Sequence, residues 1–358
     1  MPAKIPATIV TGFLGSGKTT LIRNLLANAG GRRIALIINE FGDLGVDGGI
    51  LKGCGDAACR DEDIVELSNG CICCTVAEDF VPTLERLLAR PDAPDHIVIE
   101  TSGLALPQPL VRAFNWPQIA TRVTVDGVIA LVDGRAVTDG RFAHDVAAVD
   151  AQRALDENLD HETPLSELFD DQIACADMIV ANKTDLLSED ERRELMARLT
   201  GAARAGVQVV AASMGVLPVE VLLGRNSAAE ADMEARHEVH HHHHDDDEGE
   251  DGTAAADHHD HHDHDEFESF VVTRSEIADP AAFAEQVVGV IRDHDILRLK
   301  GFAAVAGKPM RLTLQAVGPR IETYFDRPLD GHEPRQTRLV VIGQAGLDRG
   351  AIERALSA

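Results

Sequence analysis

The sequence lacks any run of about 18 apolar residues, the length that a membrane-spanning helix needs, so we expect no membrane span. Its first residues, MPAKIPATIVTGF, contain too short an apolar run for a secretory signal and lead directly into a glycine-rich loop. We therefore expect a cytoplasmic protein. Because thiols stay reduced in that compartment, clustered cysteines are expected to be metal ligands or redox groups before disulfides.

Basic side chains are also scarce. The chain has 33 Lys and Arg against 60 Asp and Glu, a formal net charge of −27, and residues 237–268 contain 13 acidic side chains but no Lys or Arg. A chain this acidic repels phosphate backbones, so we expect no non-specific binding of nucleic acid. The length of 358 residues leaves room for two domains with cores of their own.

Short apolar runs alternate with amphipathic stretches over the first 215 or so residues. The apolar runs are rich in Val and Ile, which is typical of buried parallel strands; they are ATIVTG, RIALIINE, HIVIE, DGVIALVD, ADMIVANK and VQVVAAS. EDFVPTLERLLAR and SEDERRELMARL are predicted helices, the second with Ser188 as N-cap and Glu191 as its capping-box partner. The alternation predicts a doubly wound α/β domain with a mostly parallel sheet over residues 1–224.

The composition changes after this domain. The stretch HEVHHHHHDDDEGEDGTAAADHHDHHDHDEFE has almost no large apolar residue, so burial cannot offset the entropy lost on ordering it. We predict a disordered linker over residues 225–266. Residues 267–358 are predicted to form a smaller α+β domain, with strands in FESFVVTR, RLTLQAVG and TRLVVIGQ and helices in DPAAFAEQVVGVIRD and LDRGAIERALSA. Asp279 is the expected N-cap of the first of these helices, followed by Pro280 at N1.

GFLGSGKT matches the phosphate-binding pattern G-x-x-x-x-G-K-[ST]. It follows the predicted strand TIVTG and precedes the predicted helix TTLIRNLLA, the context that this motif requires. Glycines let backbone N–H groups close around phosphate oxygens, Lys18 is expected to reach the β and γ phosphates, and Thr19 would offer its hydroxyl to Mg²⁺. An ordinary glycine turn is the alternative. The predicted phosphate-binding residues are Gly12, Gly15, Ser16, Gly17, Lys18, Thr19 and Thr20.

The sequence ANKTD follows the apolar run ADMIV and puts Asn182, Lys183 and Asp185 at the carboxyl end of a predicted strand. The Asp185 carboxylate can accept hydrogen bonds from N1–H and the 2-amino group of guanine, whereas adenine lacks both donors in that arrangement. The motif therefore favours GTP over ATP, with an exposed turn as the alternative.

Glu100 ends another predicted strand, HIVIE. An acid at this position can hold the hydration shell of Mg²⁺ or position the attacking water, although a surface acid at a strand end is the alternative. Lys18 and Glu100 are thus the predicted catalytic residues. The sequence shows no separate arginine finger.

Three cysteines, Cys71, Cys73 and Cys74, fall within four positions of NGCICC. Thiolates suit Zn²⁺, Co²⁺ and Cu⁺, so we predict a metal site, with an inert buried cluster as the alternative. Three thiolates do not complete a tetrahedron, and the fourth ligand is open, with Glu40 one candidate. The motif lies between the phosphate loop and Glu100, where P-loop GTPases carry the segments that the γ-phosphate and Mg²⁺ order. GTP could therefore assemble the site and hydrolysis loosen it.

The predicted linker holds 11 of the 16 histidines, interleaved with aspartates. Neutral imidazole binds zinc, cobalt and nickel, so a weak multi-site metal reservoir is the leading hypothesis and a solvated spacer the alternative. Cys54 and Cys59 in GCGDAAC either add ligands or are incidental.

Together these segments resemble the CobW family of P-loop GTPases, in the class that includes metal-insertion GTPases. The resemblance covers nearly the whole chain and rests on GFLGSGKTT, NEFG, NGCICC, IVIETSGLA, DGVIALVD and NKTD, followed by a His-rich linker and a C-terminal domain. GCGDAAC makes it strongest to the branch that acts in aerobic cobalamin synthesis. The resemblance implies GTP-dependent supply of zinc or cobalt to client enzymes. It also implies that residues 12–19 bind phosphates, residues 182–185 bind guanine, and Cys71, Cys73 and Cys74 form the metal motif.

The sequence thus predicts a GTP-hydrolysing metallochaperone that uses GTP, Mg²⁺ and Co²⁺ or Zn²⁺. Its expected partner is a client metalloenzyme or metal chelatase, with a cobaltochelatase of cobalamin biosynthesis as one candidate. A zinc chaperone for other metalloenzymes is the nearest alternative. A passive His-rich metal buffer and a small-molecule kinase with a structural zinc are the others; the intact Lys18, Thr19 and Asp185 argue against the buffer, and the guanine motif argues against the kinase.

Overall fold

The computed structural model describes residues 4–39, 64–67, 80–155, 165–233, 236, 267–329 and 334–357. The chain divides into two compact units, Met1–His237 and Glu238–Ala358. Within the described ranges, no helix combines the length and the apolar character needed to cross a membrane.

The first unit is built on a seven-stranded sheet in the order β3-β2-β4-β1-β5-β6-β7, and its neighbouring strands pair in parallel. The strands are β1 (Ile5–Thr11), β2 (Ile34–Asn39), β3 (Ile64–Leu67), β4 (His96–Glu100), β5 (Val123–Asp133), β6 (Met178–Asn182) and β7 (Gln208–Ala211). Every residue of β4 and β6 is buried, because helices cover both faces of a parallel sheet. The predicted parallel α/β fold is confirmed.

The connections between these strands are mostly helical. The helices are α1 (Lys18–Ala27), α2 (Val81–Leu88), α3 (Pro107–Ala113), α4 (Pro117–Ala120), α5 (Gly134–Thr138), α6 (Val146–Leu155), α7 (Leu165–Cys175), α8 (Glu189–Ala202) and α9 (Val219–Leu222). Short 3-10 turns lie at Thr184–Leu186 and Ala229–Ala231. The predicted capping box of α8 is confirmed, since the Ser188 hydroxyl accepts from the Glu191 N–H and the Glu191 carboxylate accepts from the Ser188 N–H.

The second unit is an antiparallel sheet in the order β11-β10-β9-β12-β8, packed with two helices. Its elements are β8 (Phe267–Arg274), α10 (Pro280–Asp293), β9 (Arg298–Ala304), β10 (Met310–Val317), β11 (Arg320–Pro328), β12 (Thr337–Gln344) and α11 (Arg349–Ser357). Asp279 caps α10 as predicted, accepting from the N–H groups of Ala281 and Ala282. The core joins Val287 of α10 and Ile352 of α11 to strand side chains such as Leu339.

The first unit continues further than the sequence indicates. The predicted linker begins at residue 225, but the segment that follows α9 packs against β5 and the end of α7. The Asp126 carboxylate accepts from the N–H groups of Gly224 and Asn226, and the Glu230 carboxylate accepts from the Val125 N–H at 2.9 Å. Arg236 is 1% exposed and pairs with Asp177 at 2.8 Å. Polar contacts with buried carboxylates order this segment, and they leave no apolar pattern in the sequence.

Candidate functional site

Several segments of the first unit end at the same edge of its sheet, the edge that the carboxyl ends of the parallel strands form. They include the loop that follows β1, Glu100 at the end of β4, Asn182 at the end of β6 and the loop that follows β7. Parallel α/β sheets bind ligands in the crevice outside this edge. The predicted nucleotide residues are therefore brought together, although they are distributed over about 170 positions of the chain.

The loop between β1 and α1 has backbone geometry that glycine alone tolerates. Gly12 has φ +138°, and a Cβ there would lie 2.1 Å from the Leu131 carbonyl oxygen. Gly17 has φ +103°, and a Cβ there would lie 2.4 Å from Asn182 Nδ2. No side chain among the described residues caps α1, so its first N–H groups face the loop. This backbone is a cradle suited to phosphate oxygens.

Two polar side chains of the loop are buried inside this cradle. Lys18 Nζ donates to the Gly12 carbonyl oxygen at 2.8 Å and to the Phe13 carbonyl oxygen at 3.3 Å. The hydroxyl of Ser16, which is 1% exposed, has no hydrogen-bond partner within the described part of the chain. A buried hydroxyl in that state costs free energy, and an anionic phosphate oxygen would satisfy it. The residues present thus fit a phosphate group.

Thr19 and Glu100 meet across the sheet edge. Thr19 Oγ1 donates to Glu100 Oε1 at 3.3 Å, and the Glu100 side chain is buried. A hydroxyl and a carboxylate are hard oxygen ligands of the kind that Mg²⁺ prefers, and they stand next to the phosphate cradle. Thr20, the last residue of the predicted phosphate set, lies in the first turn of α1 and is half-buried.

Asn182 connects the phosphate loop to the far side of the site. Its Nδ2 donates to the Ser16 carbonyl oxygen at 2.8 Å, and its Oδ1 accepts from the Gly215 N–H at 2.9 Å. Lys183 follows in the left-handed conformation, with φ 61°, and its Nζ donates to Asp133 Oδ2 at 2.6 Å. Asp185 is exposed in the 3-10 turn that comes next. The carboxylate expected to contact guanine is therefore accessible to a ligand.

The sequence motifs missed the loop after β7, although it completes this side of the site. The Ala212 carbonyl oxygen accepts from both the N–H and the hydroxyl of Thr184, at 3.2 Å and 3.0 Å. Asn24 of α1 donates from Nδ2 to the carbonyl oxygens of Met214 and Gly215, both at 3.0 Å. The signal that could have found the loop is the glycine in ASMG, directly after a predicted strand that ends at the same sheet edge.

The predicted metal ligands lie outside the described residues. They are Cys71, Cys73 and Cys74, with Glu40, Cys54, Cys59 and the histidines of residues 237–266. Within the ranges that the structure covers, no three His, Cys, Asp or Glu side chains are grouped to hold a metal ion. Cys175, the last residue of α7, is buried, and this burial raises the pKa of its thiol to about 11, so the thiol is protonated at neutral pH.

Comparisons with known proteins agree with the geometry. The nucleotide-binding domain described as CobW/HypB/UreG matches residues 6–211, and the domain described as Cobalamin synthesis protein cobW C-terminal domain matches residues 267–358. The chain is 55% identical to a protein named Zinc chaperone CobW from Sinorhizobium sp, covering 99% of this chain and 97% of that protein. It is 52% identical to a protein of the same name from Pseudomonas aeruginosa, over 99% and 91% of the two chains.

More distant relatives have related names. The Escherichia coli protein named Zinc chaperone YjiA is 31% identical over 95% of this chain and 94% of its own. Among solved structures, the Zn(II)-bound YjiA GTPase from E. coli aligns over 99% of this chain and 98% of its own, at 25% identity and a TM-score of 0.39.

Proposed function

Because the chain belongs to the CobW/HypB/UreG family and carries the CobW C-terminal domain, we propose that it is a GTP-hydrolysing metallochaperone whose cargo is zinc. The observation that supports GTP binding is the pair of hydrogen bonds made by Asn182. They connect the phosphate loop at Ser16 to the loop after β7 at Gly215, next to the turn that carries Asp185. The proteins named zinc chaperones, similar over nearly their full length, support the cargo.

In this proposal the backbone of residues 12–17 and the Lys18 ammonium bind the phosphates of GTP. Lys18 exchanges its bonds to the loop carbonyls for phosphate oxygens, which are stronger acceptors. Thr19 and Glu100 would hold Mg²⁺, and the bound ion would supply positive charge to neutralise the charge that develops on the phosphates. Glu100 is also the group that would orient the attacking water, and Asp185 reads the guanine edge.

Cys71, Cys73 and Cys74 are the proposed ligands of the cargo ion. Their position between the phosphate loop and Glu100 gives GTP a route to change metal affinity, since the intervening residues are those a γ-phosphate orders in related folds. Cobalt is the second candidate cargo, with a cobalt chelatase as client. The description of the C-terminal domain as a cobalamin synthesis domain favours it.

The experiment that tests the proposal measures metal affinity in three states: with Mg²⁺ and a non-hydrolysable GTP analogue, with Mg²⁺ and GDP, and without nucleotide. Co²⁺ is the probe, because thiolate ligation gives it an intense charge-transfer band. We expect the GTP analogue to tighten metal binding by about 1–3 kcal/mol, and the metal to tighten binding of the analogue by the same factor. Equal metal affinity in all three states would mean that the cysteines form a static metal site, and it would contradict the proposed chaperone mechanism.

Two cysteine variants sharpen this measurement. Cys73→Ser should abolish the band and the coupling while leaving metal-free GTP binding nearly unchanged. Cys175→Ser is the matched control, because that thiol is buried and protonated and should contribute nothing to either. Turnover of GTP with little turnover of ATP separates the proposal from a passive metal buffer and from a small-molecule kinase.

A further inference from the structure

Asp133, at the end of β5, is a buried carboxylate that the nucleotide motifs do not include. Its backbone is in register with Asn182 of the neighbouring strand β6. Its Oδ1 accepts from the Ala136 N–H at 3.0 Å and so caps α5, while its Oδ2 accepts from Lys183 Nζ. Only 1% of the side chain is exposed, so Asp133 does not reach a bound nucleotide itself.

The contact with Lys183 constrains a residue in an unfavourable conformation. Lys183 has φ 61° and ψ 30°, a left-handed geometry that costs a side chain of this kind about 1–2 kcal/mol. A charge-assisted bond of 2.6 Å to a nearly buried carboxylate offsets that cost and fixes the direction in which the chain leaves β6. The next residues form the 3-10 turn that carries Asp185.

The same segment is also linked to the first turn of α8, which follows the 3-10 turn. Arg135, two residues after Asp133, donates to Glu191 Oε1 at 2.9 Å, and Glu191 is the capping-box partner of Ser188. Gly134 lies so close to β6 that a Cβ there would stand 2.8 Å from the Asn182 carbonyl oxygen. The segment at the start of α5 therefore contacts Lys183 directly and is linked to Ser188 through Glu191.

From this geometry we infer that Asp133 is a positioning residue for base recognition, acting through Lys183 to aim the Asp185 carboxylate at the guanine edge. The inference rests on the proposed GTP-binding function. It adds to that function a residue that affects the selectivity for guanine without contacting the nucleotide. Removing the Asp133 charge should weaken the discrimination that depends on Asp185. It should not unfold the sheet, because β5 keeps its pairings with β1 and β6.

The test is Asp133→Asn in the full chain, with binding of GTP and ITP measured side by side. Hypoxanthine keeps the N1–H of guanine but lacks the 2-amino group, so the ratio of the two affinities reports the aim of Asp185. An asparagine has one acceptor oxygen for two donors, and we expect it to keep the Ala136 cap and lose Lys183. GTP affinity should fall about tenfold, ITP affinity should fall less, and the GTP-to-ITP ratio should shrink.

Two further variants keep the inference falsifiable. Lys183→Met breaks the same contact with the α5 cap intact and should lower the ratio similarly, and adding Asp133→Asn to it should change the ratio no further. Asp190→Asn is the control, since it removes one exposed charge close to the same turn, where Asp190 pairs with Arg193 of its own helix.

Each outcome decides the matter. An unchanged GTP-to-ITP ratio in Asp133→Asn, even with a lowered melting temperature, would make Asp133 a structural cap and overturn the inference. An equal loss in Asp190→Asn would reduce the effect to general electrostatics and overturn the inference too. Failure of the wild-type chain to bind GTP at all would instead overturn the proposed function, and this inference with it.

Discussion

The Asp185 carboxylate is exposed at the mouth of the crevice, while its neighbours Asn182 and Thr184 are buried and hydrogen-bonded. Its contribution should therefore be to the ligand and not to the fold. Asp185→Asn puts an amide donor against the guanine donors and should weaken GTP binding by about 2–4 kcal/mol, measured by calorimetric titration. The melting temperature without nucleotide should stay unchanged. Unaltered GTP affinity would show that Asp185 does not contact the guanine base.

His96, at the start of β4, belongs to a buried polar group at the opposite end of the sheet. Thr8 Oγ1 lies 2.8 Å from His96 Nε2 and donates to Asp126 Oδ2 at 3.3 Å. The single hydroxyl hydrogen is used on Asp126, so Thr8 accepts from His96 Nε2–H. Burial lowers the pKa of His96, and Arg32 lowers it further, against the raising effect of Asp126.

A lowered histidine pKa makes stability depend on pH. The unfolded chain takes up the proton near the ordinary pKa of about 6.5, and the folded chain does so only at lower pH. Stability from neutral His96 is thus fully present above about pH 6.5 and is lost as pH falls below it. His96→Gln should reduce the loss of melting temperature between pH 7 and pH 5. The 11 histidines of residues 237–266 are common to both proteins, so equal losses would contradict the assignment to His96.

Thiol labelling separates Cys175 from the metal motif. Burial keeps its thiol protonated, so iodoacetamide should modify it slowly in the native protein whether or not zinc is present. Cys71, Cys73 and Cys74 should be protected only when zinc is bound. Mass spectrometry of the labelled peptides measures both, and zinc-independent labelling of the motif would count against a metal site there.

Among the elements, the phosphate loop tolerates some changes and not others. Gly12→Ala would place a Cβ 2.1 Å from a backbone oxygen of the interior strand β5, so both stability and nucleotide binding should be lost. At Gly15 a Cβ meets nothing within 4 Å, so Gly15→Ala costs only its left-handed conformation, about 1 kcal/mol. Chemical denaturation of the two variants checks the difference. Equal destabilisation would mean that close approach to β5 does not matter.

Sequence patterns predicted the elements whose own side chains determine them. The Ser188 capping box, the Asp279 cap and the buried strands β1, β4 and β6 all follow from local residue types. Strand β11 did not, because RIETYFDRP is almost entirely exposed and is held by backbone bonds to β10. Strand β9 carries Lys300 and Gly301 in its middle, which masks its alternation. Asp133 was missed because Lys183, the partner that gives it a role at the site, lies 50 positions away in the sequence.

At the scale of the whole molecule, both units have cores of their own, and residues 237–266 offer almost no large apolar side chain to either. Deleting residues 237–264 should therefore leave GTP binding and the tightest metal site intact and remove only weak binding of several ions. Equilibrium dialysis with Zn²⁺ measures the number and strength of sites. Loss of the tightest site in the deleted protein would indicate that the histidines, and not the cysteines, bind the cargo ion.

The segment after α9 has a consequence for how such chains can diverge. It is attached to β5 at Val125 and Asp126, seven or more residues before that strand ends at the nucleotide crevice, or about 23 Å away at 3.3 Å per residue. The histidine-rich tract that follows is therefore attached to the domain at a point far from the nucleotide crevice. Insertions and deletions should accumulate after Arg236, whose buried pairing with Asp177 fixes the spacing before it. Lineages could lengthen, shorten or recompose the histidine tract without selection at the nucleotide site opposing the change.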